Sequence, residues 1–453
     1  MRKKSLLLAF ALAWGLTLTA DSLDDVKANP CITASNHYAY PDKDLPELTP
    51  TPEGYEPFYM SHYGRHGSRW LCGKNEYDLP VAALEGIDRA GKLTQLGKET
   101  LDNLKRIQNH AYERWGELTE IGAEQHQGIG RRMARNFPEI FSGQGKHVNA
   151  ISSVVNRCVL SMTNETQELK AFNPALDITT DASQSYMWLL ARGATHGLRK
   201  HAKEAVKMSE DFRRQRTRSE RFVNSLVSDK EYARDSVDGF ALIRAIFHVA
   251  GILQNHHTDM SLYGLFTPEE LHAIWETENA SHYVDYSAAP QSEGLMPFGE
   301  THLLREIIAQ ADSAITCGAP AANLRFGHEV FFLPLACLME LGNTAPRIEH
   351  MEDISEHWRS YEIFPMACNI QLIFYRNHQD NDILVKALLN EHEVTMPVTT
   401  DKAPYYHWDD VKRYYTEKLN RFSSAHPDLM PTVPADYSPG KLKKKLVNVT
   451  IKM

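Results

Sequence analysis

Residues Phe58–Leu71 read FYMSHYGRHGSRWL. Phe58 to Tyr63 is a short apolar run of strand type that breaks at Gly64 into Arg65-His66-Gly67-Ser68-Arg69. Two arginines flank one histidine, and a glycine stands on each side of the Arg-His pair. A guanidinium is always charged, and its forked donors match phosphate oxygens. A histidine between two such forks lies against a bound phosphate, where neutral imidazole can attack phosphorus. The glycines allow a sharp turn and a close approach of backbone to a ligand. The end of a strand in an α/β sheet is also where ligands bind. A basic surface turn would carry the same residues, so a phosphate site needs a second half elsewhere in the chain.

Two later stretches supply candidates. Val148–Val155 (VNAISSVV) is β-branched and reads as a strand ending at Asn156-Arg157-Cys158, with a helix over Leu160–Phe172. An arginine at a helix start is disfavoured by the dipole, which weighs towards a functional Arg157. Further on, Leu324-Arg325-Phe326-Gly327-His328-Glu329 leads into Val330-Phe331-Phe332-Leu333-Pro334-Leu335. The reading is a strand ending at Gly327 and a helix from about Glu329, with Pro334 near its first turn because a deeper proline kinks a helix. His328 and the free N–H groups of that helix start favour an anion. Between these stretches, Asp78–His110 reads as helical with a break at Gly91. Leu118–Phe137 reads as a helix capped by Thr119, with Ile129, Met133 and Phe137 on one face. Cys368–Tyr375 and Ile383–Asn390 read as closing strands.

Taken together, Arg65-His66-Gly67-Ser68-Arg69 and His328-Glu329 resemble the signature of the histidine phosphatase superfamily, in its acid phosphatase and phytase branch. The chain is most similar there to the multiple inositol polyphosphate phosphatases. The branch usually continues its first motif with x-Pro; this chain continues with Trp70-Leu71. Acid phosphatases carry His-Asp in the second motif, and the inositol polyphosphate phosphatases carry Gly-His-Ala-Glu before an apolar stretch with Leu-Pro-Leu. Here Gly327-His328-Glu329-Val330 precedes Phe331-Phe332-Leu333-Pro334-Leu335, so the carboxylate comes one position early.

The resemblance implies an α/β fold, a three-layer αβα sandwich around a mainly parallel sheet. Residues 21–175 plus 305–453 would form the phosphatase core, with an α-helical cap of 176–304 inserted. It also implies roles: His66 as nucleophile, Arg65, Arg69, Arg157 and His328 as phosphate ligands, and Glu329 as proton donor, with neither metal nor cofactor. The implied substrate is a small phosphorylated molecule, by preference an inositol polyphosphate such as phytate. The alternatives are a broad-specificity acid phosphatase and a non-catalytic phosphate-ester binding protein of the same fold.

The chain has 453 residues, 42% of them apolar, and a formal net charge of -9. That length suffices for a large core or two domains, and the charge argues against a general nucleic-acid binder. Residues 1–20 read as a signal peptide: Arg2-Lys3-Lys4, an apolar run Leu6–Leu18, then Thr19-Ala20. The expected location is therefore exported, periplasmic in a Gram-negative source, with no stable membrane insertion. Export permits disulfides, and Cys31 with Cys72 is the candidate pair, while Cys337 and Cys368 read as buried thiols. Arg199–Arg221 carries nine Lys/Arg against four Asp/Glu; it is either a solvated helix face or a basic cap that grips the substrate's other phosphates. His256-His257 and Asp259 have metal-ligand chemistry but no matching ligand set nearby. Lys441–Met453 reads as a basic tail.

Overall fold

The computed structural model describes residues 21–41, 45–191, 198–199, 202–377, 379 and 381–430. The expected signal segment and basic tail lie outside the described residues. Eight strands form one mixed sheet. In chain order they are β1 (Tyr55–Arg65), β2 (His147–Ser152), β3 (Asp177–Ala182), β4 (Ala322–Gly327), β5 (Asn369–Asn377), β6 (Ile383–Leu389), β7 (His392–Val394) and β8 (Tyr406–His407). Their order across the sheet is β3-β2-β4-β1-β5-β6-β7, with β8 paired to β6. β3, β2, β4 and β1 run parallel; β5 joins β1 antiparallel, and the pairings beyond it are antiparallel. β1 is thus the strand on which the parallel half of the sheet meets the antiparallel half.

Alternation along the strands builds a core on each face, because successive side chains point to opposite sides. Met60, Val148, Ala150, Leu324, Phe326 and Ile373 pack on one face against α4 (Glu120–Asn136) and α5 (Asn156–Phe172), through Ile129, Met133, Met162 and Leu169. Tyr59, Tyr63, Ile151, Ile370, Leu372 and Phe374 face the other way. They meet α10 (Thr301–Cys317), α11 (Glu329–Leu338) and α12 (Trp408–Ala425), through residues such as Ile307, Phe331, Val411 and Leu419. Each fully buried large apolar side chain contributes roughly 1.5–3 kcal/mol, so the three layers are held mainly by these two cores. Arg325, buried in β4, ties α10 to the sheet through paired contacts of 2.8 Å to Glu306.

Several local expectations change. Asp21–Pro57, whose Pro, Asn, Asp and Thr content suggests an irregular lead-in, begins with α1 (Ser22–Ala28) and a 3-10 stretch (Pro30–His37). They join a helical body with α2 (Lys74–Arg89), α3 (Gln95–His110), α7 (Glu220–Leu226), α8 (Gly239–Ile252) and α9 (Pro268–Tyr286) around a third core that includes Val26, Leu84, Leu104, Leu226, Ile246 and Trp275. The helical cap is therefore assembled from the N-terminal segment and from α2 and α3 as well as from the expected 176–304. β3 lies inside that expected cap range but completes the parallel edge of the sheet. Its sequence, DITTDA, has no apolar alternation strong enough to mark a strand; edge position makes burial unnecessary. Pro334 is the sixth residue of α11 rather than part of its first turn. The lost N–H is tolerated in a helix buried almost throughout, where packing outweighs one missing backbone bond.

Among the described residues, no single helix is long and apolar enough to cross a membrane. All six cysteines are free thiols. The expected Cys31–Cys72 bridge is absent: Cys31 sits in the 3-10 stretch, its carbonyl accepting from Gln254 at 3.1 Å, while Cys72 is exposed beside Gly116.

Candidate active site

Register brings the motifs together. Arg65 lies opposite Gly327 and Ser152 opposite Phe326, so β1, β2 and β4 end level. The next residues, His66, Ser153 and His328, therefore meet at the C-terminal edge of the parallel strands. α5 and α11 begin there, and their free N–H groups favour negative charge.

His66 is fully buried, and its backbone N–H donates to the Gly327 carbonyl at 3.1 Å. Its Nδ1 lies 2.9 Å from the Gly67 carbonyl. A carbonyl only accepts, so the proton sits on Nδ1 and Nε2 keeps its lone pair. Nε2 has no hydrogen-bond partner within the protein. Burial, reinforced by Arg157 and Arg65, holds the imidazole well below the usual histidine range in spite of Glu329 nearby. The ring is therefore neutral at and below neutral pH, the form a nucleophile needs.

Arg65 is also fully buried; its Nη1 donates to the Phe364 and Pro365 carbonyls at 3.1 Å each. Its Nε stands 3.2 Å from Glu329 Oε2, and that same oxygen is 3.6 Å from His66 Nε2. Neither contact has hydrogen-bond geometry, and Arg65 Nε and Nη2 and Glu329 Oε2 all lack hydrogen-bond partners. Burial would raise the Glu329 carboxyl, but Arg65, His66 and Arg69 together hold it well below the ordinary carboxylate range. The His328 ring centroid is 5.5 Å from that of His66, and its Nε2 lies 3.3 Å from Ser153 Oγ and 3.6 Å from Cys158 Sγ. Burial lowers His328 to about 4.

Arg69 donates to the Trp70 carbonyl at 2.9 Å and stands 3.3 Å from His37 Nε2; Arg157 donates to the Gly116 carbonyl at 3.2 Å. The Nε of each is buried without a partner. Both act electrostatically on the centre: Arg157 on His66 and His328, Arg69 on Glu329 and His328. His66, His328, Glu329 and Arg65 thus meet directly, and Arg69 and Arg157 lie near enough to act on them through charge. The ligating atoms of His66, His328 and Glu329 lie within 4.8 Å of one another. A cation could be held at that spacing, but three guanidinium groups around it make an anion the favoured guest.

No protein-family model matches the chain, and no curated protein matches it in sequence. Solved structures do match. The multiple inositol polyphosphate phosphatase of Bifidobacterium longum, in complex with inositol hexasulfate, superposes with a TM-score of 0.72 at 15% identity, over 85% of this chain and 98% of that one. The same protein in complex with phosphate gives 0.69 at 16% identity, over 85% and 98%. The phytase of D. castellii gives 0.60 at 12% identity, over 86% and 85%. The chain has the histidine phosphatase fold.

Within the histidine phosphatase fold, Gly67 has a different task from the one expected of it. A Cβ there would come within 2.3 Å of the Gly122 carbonyl, and one on Gly122 within 2.2 Å of the Ser68 carbonyl. The glycines admit the first turn of α4, not a ligand, against the loop. α4 opens with Thr119 accepting from the Gly122 N–H at 3.1 Å, as expected, and Thr119 N–H donates to Ser68 O at 2.9 Å. Side chains from α4 and α5 then hold the loop: Ser68 N–H donates to Gln125 Oε1 at 2.9 Å and Gly67 N–H to Ser161 Oγ at 3.0 Å. Gln125, His126, Ser161 and Glu165 were missed in the sequence. Their signal was present as polar residues on the faces of two helices that otherwise pack apolar, positions where a buried polar group needs a partner.

The basic run of the cap follows the first of its two readings, a solvated helix face. Arg199 pairs with Asp285 at 2.5 Å, Arg213 with Glu210 at 2.5 Å, Arg216 with Glu276, and Arg221 with Glu270 at 2.5 Å. Arg214 lies over the Phe240 ring. The run, which includes α6 (Lys203–Arg216), is an ion-paired helix face and gives no support to a polyanionic substrate. His256 packs against Trp70 with the ring centroids 4.0 Å apart and His257 pairs with Glu124 at 3.0 Å, so the two histidines do not converge on a metal.

Proposed function

We propose that the protein is a phosphoric monoester hydrolase working through a phosphohistidine, with an inositol polyphosphate as preferred substrate. The observation that carries this reading is the buried, unpartnered Nε2 of a neutral His66, ringed by three arginines, His328 and Glu329. In the first step the Nε2 lone pair forms the N–P bond as the P–O bond to the alcohol breaks. Arg65, Arg69, Arg157 and His328 neutralise charge spread over the transferring oxygens. Glu329 gives its proton to the departing alkoxide. In the second step water attacks phosphorus and yields a proton to Glu329, and the N–P bond breaks.

Glu329 must carry a proton for the first step, although its surroundings favour the ionised form. A phosphate dianion between the arginines offsets their charge and so raises the Glu329 carboxyl; the acid is armed by the substrate. Support for an inositol polyphosphate comes from the relative that binds inositol hexasulfate and from the phytases of the same fold. Export is proposed with it, on the leader-like N-terminus. The deciding experiment compares phosphate release from phytate and from p-nitrophenyl phosphate between pH 3 and 7. Turnover of phytate with the higher kcat/KM supports the reading; preference for the aryl ester returns a broad acid phosphatase, and no turnover of either a binding protein.

A further inference from the structure

Behind the nucleophile loop, on the side away from the phosphate cradle, lies a second cluster of titratable groups that the proposed chemistry does not use. Glu165 of α5 is wholly buried, as is His126 of α4, and His62 of β1 is nearly so. His126 Nδ1 is 2.8 Å from Glu165 Oε2, and its Nε2 is 3.1 Å from the carbonyl oxygen of Arg65. That oxygen belongs to the peptide joining Arg65 to His66. It only accepts, so Nε2 carries a proton. A second proton lies between Nδ1 and the carboxylate. His62 Nδ1 is 3.9 Å from the other carboxylate oxygen, without hydrogen-bond geometry, and burial lowers His62 to about 4, so it is uncharged at neutral pH. Glu165 is thus matched by His126 alone.

A buried histidine–carboxylate pair is expensive and rarely stabilises a fold better than apolar residues of the same volume. This one ends on a chosen atom. The Arg65–His66 peptide donates its N–H to Gly327 and offers its carbonyl to His126, so both its faces are held. Rotation of that peptide would move the Arg65 guanidinium and the His66 ring together. The neighbouring peptides are held as well, Arg65 N–H by the Cys368 carbonyl at 2.9 Å and the His66 carbonyl by Ala367 N–H at 3.0 Å, and the loop is held further along at Gly67 and Ser68; these bonds leave the Arg65 carbonyl to His126.

We propose that His126 and Glu165 are positioning residues, a buried dyad that sets the Arg65–His66 peptide and so aims His66 Nε2 at phosphorus. The proposal rests on the phosphatase reading. It places the dyad's effect on attack rather than on binding, because a nucleophile displaced by about 1 Å costs on the order of 100-fold in rate while a many-pointed anion cradle tolerates such a shift.

The test uses the full-length protein and the variants Glu165→Gln and His126→Gln, singly and together. Wild-type turnover is measured first; its absence overturns the phosphatase reading and with it this proposal. With the wild type active, kcat and KM for phytate are set beside the dissociation constant for inorganic phosphate and the Tm. Acid-quenched phosphohistidine formation in a single turnover reports the attack step. The expected result is a fall of about 10- to 100-fold in kcat and in the phosphorylation rate, with phosphate affinity changed by less than about 3-fold. The double variant should be no worse than the poorer single, since the two act as a unit. Unchanged kcat in folded variants overturns the proposal. So does a loss that falls equally on phosphate affinity and Tm, which a purely structural pair would give. Should Glu165→Gln not fold, His126→Gln carries the same comparison by itself.

Discussion

At the scale of single residues, the central feature is that Glu329 lies in the cradle it is proposed to serve. Its Oε2 touches both Arg65 and His66 without a proper hydrogen bond to either. An incoming phosphate must displace it or share the space, and two like charges a few ångströms apart repel by about 1 kcal/mol or more. Glu329→Gln is therefore expected to bind inorganic phosphate several-fold more tightly than wild type at pH 7, by calorimetry. The difference should shrink as pH falls and the wild-type carboxyl protonates. Weaker binding in the variant would mean that Glu329 is a phosphate ligand instead. The same variant should lose about 10²–10⁴-fold in kcat on phytate, whose alkoxide needs a proton, and much less on p-nitrophenyl phosphate. His66→Ala should abolish turnover and the acid-labile, base-stable phosphoprotein trapped from wild type. Persisting turnover, with label elsewhere, would end the phosphohistidine mechanism.

At the scale of elements, the site depends on how closely the first turn of α4 approaches the Gly67-Ser68 backbone. Gly122→Ala puts a methyl carbon at about 2.2 Å from the Ser68 carbonyl, a clash with backbone that no side-chain rotation relieves. Overpacking of this kind costs roughly 1–3 kcal/mol. The expected outcome is a Tm several degrees lower and a fall in kcat larger than the loss of stability explains, since the displaced loop carries His66. A variant with wild-type kcat would show that the loop can move without consequence. Gly86→Ala on α2 is the control. There the added carbon meets only Arg89 Nη2, at 3.9 Å, and little change is expected.

At the scale of the whole molecule, the buried histidines set a pH dependence. Burial lowers His62 and His328 to about 4, from about 6.5 in the unfolded chain. Below 6.5 the unfolded state binds more protons than the folded one, so stability falls as pH falls. The loss accumulates between pH 6.5 and 4, about 3 kcal/mol for each buried histidine. Thermal denaturation should show Tm dropping through that window. A Tm that is flat from pH 7 to 4 would mean that these rings are already charged in the folded protein.

The sequence by itself determined the two motifs, the strand-to-helix character of each and the cap of α4 at Thr119, because these depend on residues near one another in the chain; the α/β class followed from the resemblance those motifs carry. Gly67 was legible as a special position, but the neighbour that demands glycine, Gly122, lies more than fifty residues away and was brought there by folding. The same holds for Glu165 and His126, whose chemistry is ordinary until one of them meets the Arg65 carbonyl. Strand β3 has no pattern of its own and exists because β2 offers an edge. The paired arginines of the cap and the unbridged Cys31 and Cys72 also belong to the tertiary structure. Local composition states which groups a chain owns; packing alone states which of them are close enough, and dry enough, to act on one another.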